Sequence, residues 1–385
     1  MIRMPVRERI NWQQLAEQYG FSFHTMYGEK YWDESAYYQF SLRQIEDDLE
    51  KPSEELHQMC LHVVDKVVSD AELLQLCQIP EQHWHFVRDS WLRGEPSLYS
   101  RLDLVYNGQS PAKLLENNAD TPTSLYETGF WQWLWLEEQV DERRLDSRAD
   151  QFNSVQEKLI ARFAQLHEAG TLYFSCARDS DEDRGTVEYL IDCAKEANWQ
   201  TEFIYIDDLG FNQHGQLVDL ADKPIDYIFK LYPWEHMLRE PFAEHLYNSP
   251  THWLEPAWKS ILSNKALLPL LWKYFPEHPN LLPAYFAKDA HLTGSGKWVK
   301  KPLYSREGAN ISILENGKNI LESQGPYGAE GYIYQAYAPL PMFGDNHTLI
   351  GSWLIDGASA GICIREDKSP ITQDLSRFLP HIILG

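Results

Sequence analysis

Between Ser41 and about Leu92 the apolar positions recur at helical spacing, as at Leu56, Met59, Val63 and Val67, with an interruption at Pro80. From Ser97 the period shortens to two, through Ser-Leu-Tyr-Ser-Arg-Leu-Asp-Leu-Val-Tyr, then Asn107-Gly108, then Ala112-Lys-Leu-Leu-Glu-Asn-Asn. Asn-Gly between two alternating runs predicts a β-hairpin over 99–118, and Ser110-Pro111 lengthens its loop beyond two residues. Helices are expected over 123–139 and 156–169, the second closing at Gly170. A strand at 172–176, a helix at 186–197 and strands at 203–206 and 225–231 then alternate as in a βαβ unit, so the middle of the chain reads as α/β. A helix over 258–274 leads into strands at 297–302, 310–314, 331–338, 347–355 and 359–364, separated by Gly, Pro and Asn-Gly turns, which predicts a mostly antiparallel last third.

Composition narrows the function classes. Lys and Arg number 34 against 57 Asp and Glu, a formal charge of −23, which argues against a general nucleic-acid binder because such proteins neutralise phosphates with cations. With 43% hydrophobic and 13% aromatic residues the chain carries enough apolar surface to fold, and 385 residues predict two or three substructures or one enzyme of interleaved lobes. Cys60, Cys77, Cys176, Cys193 and Cys363 are odd in number and form no CxxC pair, the pattern of reduced thiols, so a cytoplasmic location is expected. The first eleven residues, MIRMPVRERIN, hold no apolar stretch after their basic residues, so no secretory leader is expected there. No run approaches the roughly 18 apolar residues of a membrane span.

Two constellations carry candidate chemistry. Arg101 and Asp103 lie two apart on one predicted strand, and Glu116 and Asn118 two apart on the other, so each pair shares a face. If the strands pair, three oxygen donors converge beside a guanidinium, a set suited to Mg²⁺ with room for phosphate oxygens; the alternative is a solvated hairpin face. The second constellation is Lys300-Lys301-Pro-Leu-Tyr-Ser-Arg306-Glu307-Gly308-Ala-Asn310, a strand end entering a Gly-containing turn, where cations and backbone N–H groups suit phosphate; the alternative is an ordinary basic turn. Gly294-Ser-Gly296-Lys297-Trp298 lacks the spacing and the Ser or Thr of a P-loop. Lys265, Gln335 and Arg365 each read alone as structural polar residues, but with the other two groups they complete the parts of an ATP site.

Longer motifs join these positions: Pro96-Ser-Leu-Tyr-Ser-Arg-Leu-Asp, Leu114-Leu-Glu-Asn-Asn-Ala-Asp-Thr-Pro-Thr-Ser, Trp253-Leu-Glu-Pro-Ala-Trp-Lys, Asn264-Lys-Ala-Leu-Leu-Pro and Lys301-Pro-Leu-Tyr-Ser-Arg-Glu-Gly-Ala-Asn. They resemble the synthetase domain of the glutathionylspermidine synthetase family, and nearly the whole chain is similar to its stand-alone bacterial members, a group of acid–amine ligases. The resemblance implies an α+β and α/β architecture of the ATP-grasp type with a helical N-terminal region. Its motif order is circularly permuted, since Glu116 and Asn118 precede Lys265 and Lys301. It divides the chain into a helical region (1–95), the hairpin with its Mg²⁺ site and packing helices (96–165), an α/β substrate-side domain (166–250) and the nucleotide-binding lobes (251–385).

Carried over by position, the resemblance assigns Asp103, Glu116 and Asn118 to Mg²⁺, as two ions, and Lys265 and Lys301 to ATP phosphates. Lys300, Glu307 and Gly308 join Arg101 and Asp103 in the nucleotide set, Gln335 lies near adenine, and Arg101, Arg306 and Arg365 act on transition-state charge or close a loop over phosphate. The reaction implied is phosphorylation of a carboxylate by ATP and attack on the acyl phosphate by an amine. The loop 304–310 is expected to close as a lid over that anhydride.

Asp181, Glu182 and Asp183 lie in an acidic loop suited to a cationic amine or, alternatively, in the first turn of a helix. Thr121, Thr123 and Ser124 are candidates for the acid substrate, or for helix caps. The 385 residues hold no counterpart of the cysteine amidase domain of bifunctional members, so no product hydrolysis is expected of them. The expected partners are a small acid and amine, possibilities being a glutathione-like peptide and a polyamine, with neither nucleic acid nor membrane, in a monomer or homodimer. The rival readings are a non-catalytic ATP-binding regulator or scaffold, and a ligase acting on a protein or peptide terminus.

Overall fold

The structure, a computed structural model, describes residues 1–373 and 376–384. Its backbone is a mixed α/β fold built on four principal sheets. The hairpin forms as the alternation predicts: Tyr99–Val105 pairs antiparallel with Lys113–Asn118, placing Arg101 opposite Asn118 and Asp103 opposite Glu116. Opposed residues share a sheet face, so all four side chains lie on one side. Tyr99–Val105 is buried along its length because it is an inner strand, flanked by Lys113–Asn118 and by Asn346–Ile355. Ala358–Asp367 and Arg377–Leu379 extend the sheet beyond Asn346–Ile355.

A second, antiparallel sheet has the order Ala284–Phe286, Tyr332–Ala336, Lys297–Pro302, Ser312–Glu315, Lys318–Glu322. A third, all parallel, runs His252–Leu254, Tyr227–Leu231, Thr171–Cys176, Gln200–Tyr205, with Asp181–Glu196 as the crossover helix between its last two strands. Both match the patterns expected for the middle and the last third of the chain.

Three expectations change. Residues 1–95 are not helical throughout: the helices Trp12–Gln18 and, with breaks, Leu42 to Leu92 are joined by Ile2–Pro5 and Ala36–Phe40, strands that close a small sheet with His381–Ile383. These strands are short, and their polar ends hide the period of two. The helix expected over 258–274 breaks into Lys259–Leu262 and Leu267–Tyr274, and the Lys265 amide in the break donates to the Leu303 carbonyl instead of to a helical partner. The acidic residues after Asp179 form no loop: Asp181–Glu196 is helical from the start, with the Ser180 hydroxyl accepting from the Asp183 amide at 3.1 Å. Acidic side chains in a first turn are favoured by the helix dipole, so the capping alternative is the one the fold adopts there. Among the described residues no helix is long and apolar enough to cross a membrane.

Candidate functional site

Two buried ion pairs hold the hairpin from behind. Glu255, from the Trp-Leu-Glu-Pro-Ala-Trp-Lys motif, accepts from the amides of Leu98 and Tyr99, both at 2.9 Å. Lys259, one turn on, pairs with Glu255 at 3.2 Å and donates to the carbonyls of Tyr99 (2.7 Å) and Ala119 (3.1 Å), so it ties the two strands together. Asp120 accepts from Lys230 at 2.7 Å and from the Trp234 amide at 2.6 Å, and both charged side chains are fully buried. A buried charge of this kind persists only when paired and hydrogen-bonded, as each of these is.

On the working face, Arg101 Nε donates to Asp103 Oδ1 at 2.9 Å and its Nη1 to the Thr123 carbonyl at 2.8 Å, while its guanidinium lies 5.7 Å from the Trp353 ring centroid. Arg365 Nη2 donates to the other oxygen of Asp103 at 2.5 Å. One buried carboxylate therefore orients two guanidinium groups. Burial alone would lower the basicity of Arg101, but the charge and hydrogen bond of Asp103, with Cys363 and Glu116, together outweigh it and the group is held protonated. Gly351, opposite Asp103 on the neighbouring strand, makes room for the arginine: a Cβ there would stand 2.8 Å from Arg101 Cδ and 2.6 Å from Cys363 Sγ.

Glu116 joins the hairpin to the lysines. Lys265 pairs with it at 3.0 Å and donates to the Ser305 carbonyl at 2.8 Å, and Lys301 donates to the Leu115 carbonyl at 2.9 Å. Burial acts to raise the Glu116 pKa, but Lys265 and Lys301 together overcome it and hold the carboxyl at about 2. Lys301 is pushed down to about 8, chiefly by its burial.

These side chains surround two adjoining cavities that share Glu116, Gly308 and Thr372 as walls. The smaller, about 90 Å³, is an apolar slot between the two antiparallel sheets, lined by Val299, Ile313, Leu340 and Leu349 with Asp103, Lys265 and Lys301 among its walls. The larger, about 470 Å³, is polar and brings together Arg101, Arg306, Arg365, Asn118, Thr121 and Thr123 with Glu182 and Asp183. Among the described residues Arg306 Nε and Arg365 Nε are buried with no acceptor, so both donors suit an anionic partner in this cavity.

The remaining predicted residues divide. Lys300 alternates to the other face of its strand and stacks over the Tyr332 ring at 3.9 Å, away from Lys301. Gln335 donates to the Leu114 carbonyl at 2.9 Å and does not line the slot. Ser124, in the left-handed conformation with φ 69°, contacts Arg101 Nη1 at 3.3 Å and does not reach the larger cavity, and neither does Asp181. Thr123 lines that cavity and also supports Arg101 through its carbonyl.

Three residues escaped sequence reasoning. Glu235 receives Arg306 at 2.7 Å. The Tyr31 hydroxyl lies 2.5 Å from Glu127 Oε1 and 3.1 Å from Glu182 Oε1, which places a buried carboxyl behind the acidic wall. Burial and the Glu182 charge push Glu127 up to about 8; burial and the same neighbour push Asp183 up to about 7, against the pull of Arg306. Tyr31 and Glu127 stand 96 positions apart in the chain, and no local pattern links them.

Comparison with known proteins identifies the family. The family model described as glutathionylspermidine synthase preATP-grasp matches residues 3–384. The chain belongs to that family. A Haemophilus influenzae (strain ATCC 51907 / DSM 11121 / KW20 / Rd) protein assigned by name to the acid–amine ligases is 39% identical over 92% of this chain and 91% of its own. The bifunctional glutathionylspermidine synthetase/amidase of Escherichia coli (strain K12) is 27% identical over 88% of this chain, which spans 58% of that protein. Among solved structures, a glutathione synthetase-like effector from Globodera pallida superposes with a TM-score of 0.50 at 13% identity, covering 86% of this chain and 88% of its own, a likeness of fold. As a member of the glutathionylspermidine synthase preATP-grasp family, the chain is an enzyme of the acid–amine, carbon–nitrogen ligase class.

Proposed function

We propose that the protein is an ATP- and Mg²⁺-dependent ligase of permuted ATP-grasp type that forms an amide between a peptide-like carboxylate and an amine through an acyl phosphate, releasing ADP. The observation that carries this reading is the junction at Glu116, where an apolar slot fit for a planar base ends on Lys265 and Lys301 and opens into a cavity holding three arginines. The Nε donors of Arg306 and Arg365, without an acceptor among the described residues, fit a transferring phosphoryl group. Asp103, Glu116 and Asn118 are hard oxygen donors, and a carboxylate that already accepts from Arg or Lys retains lone pairs for a cation, so the set fits Mg²⁺. Mg²⁺ held there supplies charge neutralisation between the carboxylate and the phosphates.

The chain's own groups do the rest. Lys265 and Lys301 hold the phosphates at the slot's inner end, and Arg101, fixed by Asp103 and the Thr123 carbonyl, faces the developing charge. A carboxylate oxygen of the acid attacks the γ-phosphorus and ADP leaves. The amine nitrogen then attacks the acyl carbon, inorganic phosphate leaves, and the nitrogen loses a proton. Glu182 and Asp183 on the larger cavity attract a cationic amine, and Asp183, poised at about 7, is suited to accept that proton. A glutathione-like acid and a polyamine are the substrates this wall and the family favour, in a cytoplasmic setting. The test is isotopic: with ¹⁸O in the acid's carboxylate, an acyl phosphate passes one label per turnover to inorganic phosphate. Label absent from phosphate during amide formation contradicts the intermediate.

A further inference from the structure

Glu235 takes no part in the phosphate or amine chemistry above, yet it is nearly buried, at 10% side-chain exposure, against the guanidinium of Arg306. It stands in the short helix Trp234–Met237, just past the C-terminal end of the parallel strand Tyr227–Leu231. Arg306 comes from the loop that follows Lys297–Pro302, and it crosses to this helix by donating through Nη2 to Glu235 Oε1 at 2.7 Å and through Nη1 to Thr121 Oγ1 at 2.6 Å. The two acceptors are set as a unit. Asp120, the residue before Thr121, holds the Trp234 amide, the residue before Glu235, while its other oxygen is fixed by Lys230.

The same loop is pinned on its other side. Lys265 holds the Ser305 carbonyl at 2.8 Å, and Gly308, at φ +67°, packs so closely on Thr372 that a Cβ would lie 2.2 Å from that residue's carbonyl oxygen. Ser305 and Gly308 line the slot; Arg306, Glu307 and Gly308 line the larger cavity, so the loop spans the junction where the two meet.

We propose that Glu235 is a positioning residue that, with Thr121, latches Arg306 and keeps loop 305–310 closed over the junction of the two cavities, excluding water from the acyl phosphate. The proposal rests on the acyl-phosphate reading. Water that reaches that intermediate adds to the acyl carbon and releases phosphate, returning the acid with ATP consumed and no amide formed. The latch therefore governs coupling as well as rate.

The experiment measures ADP and amide together for the full-length protein and for Glu235→Ala, Glu235→Gln, Arg306→Ala and the Glu235→Ala/Arg306→Ala double variant, with hydrogen exchange of amides 303–310 in each. Glu235→Ala is expected to lower kcat on the order of tenfold to a hundredfold, to raise the ADP-to-amide ratio above one and to speed exchange of the loop. Glu235→Gln keeps a neutral acceptor for Arg306 and should restore most of the coupling. The double variant should be no worse than Arg306→Ala alone. A wild-type ratio in Glu235→Ala, additive losses in the double variant, or unchanged loop exchange would each overturn the latch. Wild-type protein that releases no ADP with any acid–amine pair would instead contradict the ligase reading, and loop exchange would still decide the latch on its own.

Discussion

Gly351→Ala isolates the strand geometry that carries Arg101. A methyl group at this position meets Cys363 Sγ at 2.6 Å and Arg101 Cδ at 2.8 Å, where ordinary Cβ contacts begin near 3.4 Å, so each neighbour must retreat by roughly 0.6–0.8 Å. Both neighbours sit in a packed, buried layer beneath Trp353, and overpacking of this kind costs about 1–3 kcal/mol. The larger consequence is chemical. Arg101 is tied to Asp103, which in turn holds Arg365, so displacement of its aliphatic stem shifts two guanidinium groups that face the larger cavity. A misplacement approaching 1 Å is expected to lower turnover by about tenfold to a hundredfold. Thermal melts and ADP-release rates on the same preparations read the two effects separately. Adding Cys363→Ala removes the sulfur clash and leaves the one with Arg101, so the double variant should regain much of the lost stability while turnover stays low. Wild-type turnover in Gly351→Ala, or full recovery of turnover in the double variant, would refute the claim that the close approach of Gly351 positions Arg101.

Other consequences concern charge. Lys301, ordinarily at 10.5 and here at about 8, binds fewer protons folded than unfolded between these values, so its contribution to stability rises with pH across that window. Its charge is lost above about 8, so ATP affinity should fall there, and Lys301→Arg should flatten the profile in a binding titration; a profile identical in both proteins would remove Lys301 from the phosphates. Glu127, ordinarily at 4.5 and here at about 8, holds an extra proton in the folded protein, so stability falls as pH rises through that range. Glu127→Gln should accordingly gain in melting temperature over wild type at pH 8–9 and show little gain at pH 5, and a pH-independent difference would contradict the buried carboxyl's role. Asp103→Asn leaves Arg101 and Arg365 without their shared carboxylate and should cost about 3–5 kcal/mol in denaturant unfolding, against under about 1 kcal/mol if the ion pairs behaved as exposed ones.

The hairpin and its four candidate side chains were legible because a period of two and an Asn-Gly turn mark the two strands and put each pair on one face; the register was not, because a bulge between Leu114 and Glu116 shifts the pairing by one residue and is what sets Asp103 opposite Glu116 and Arg101 opposite Asn118. The lysines proposed for the phosphates were legible only in part: the motif names Lys300 and Lys301 alike, and only the strand's alternation decides that Lys301 faces the slot. The acidic residues 181–183 were found, but the sequence left their placement open between a loop and a helix start, since a capped first turn and an acidic loop share one composition. Glu235 and Tyr31 were invisible for a different reason. Each acquires its role from a partner brought close by tertiary folding, Arg306 for one and Glu127 for the other, and neither spacing nor charge pattern along the chain records such contacts. The Trp253–Lys259 segment shows the converse: its Glu255 and Lys259 carry charge, yet they serve as a buried brace for the hairpin rather than as part of the cavity wall.

The most direct test of the ligase reading is simultaneous measurement of ADP and amide with Mg·ATP across a matrix of glutathione-like acids and polyamines, with Glu116→Ala as the control. The account predicts that one acid–amine pair yields ADP and amide in equal amounts and that Glu116→Ala abolishes both while retaining the wild-type circular dichroism spectrum. ATP binding without ADP release for any pair, or turnover that persists in Glu116→Ala, would contradict it.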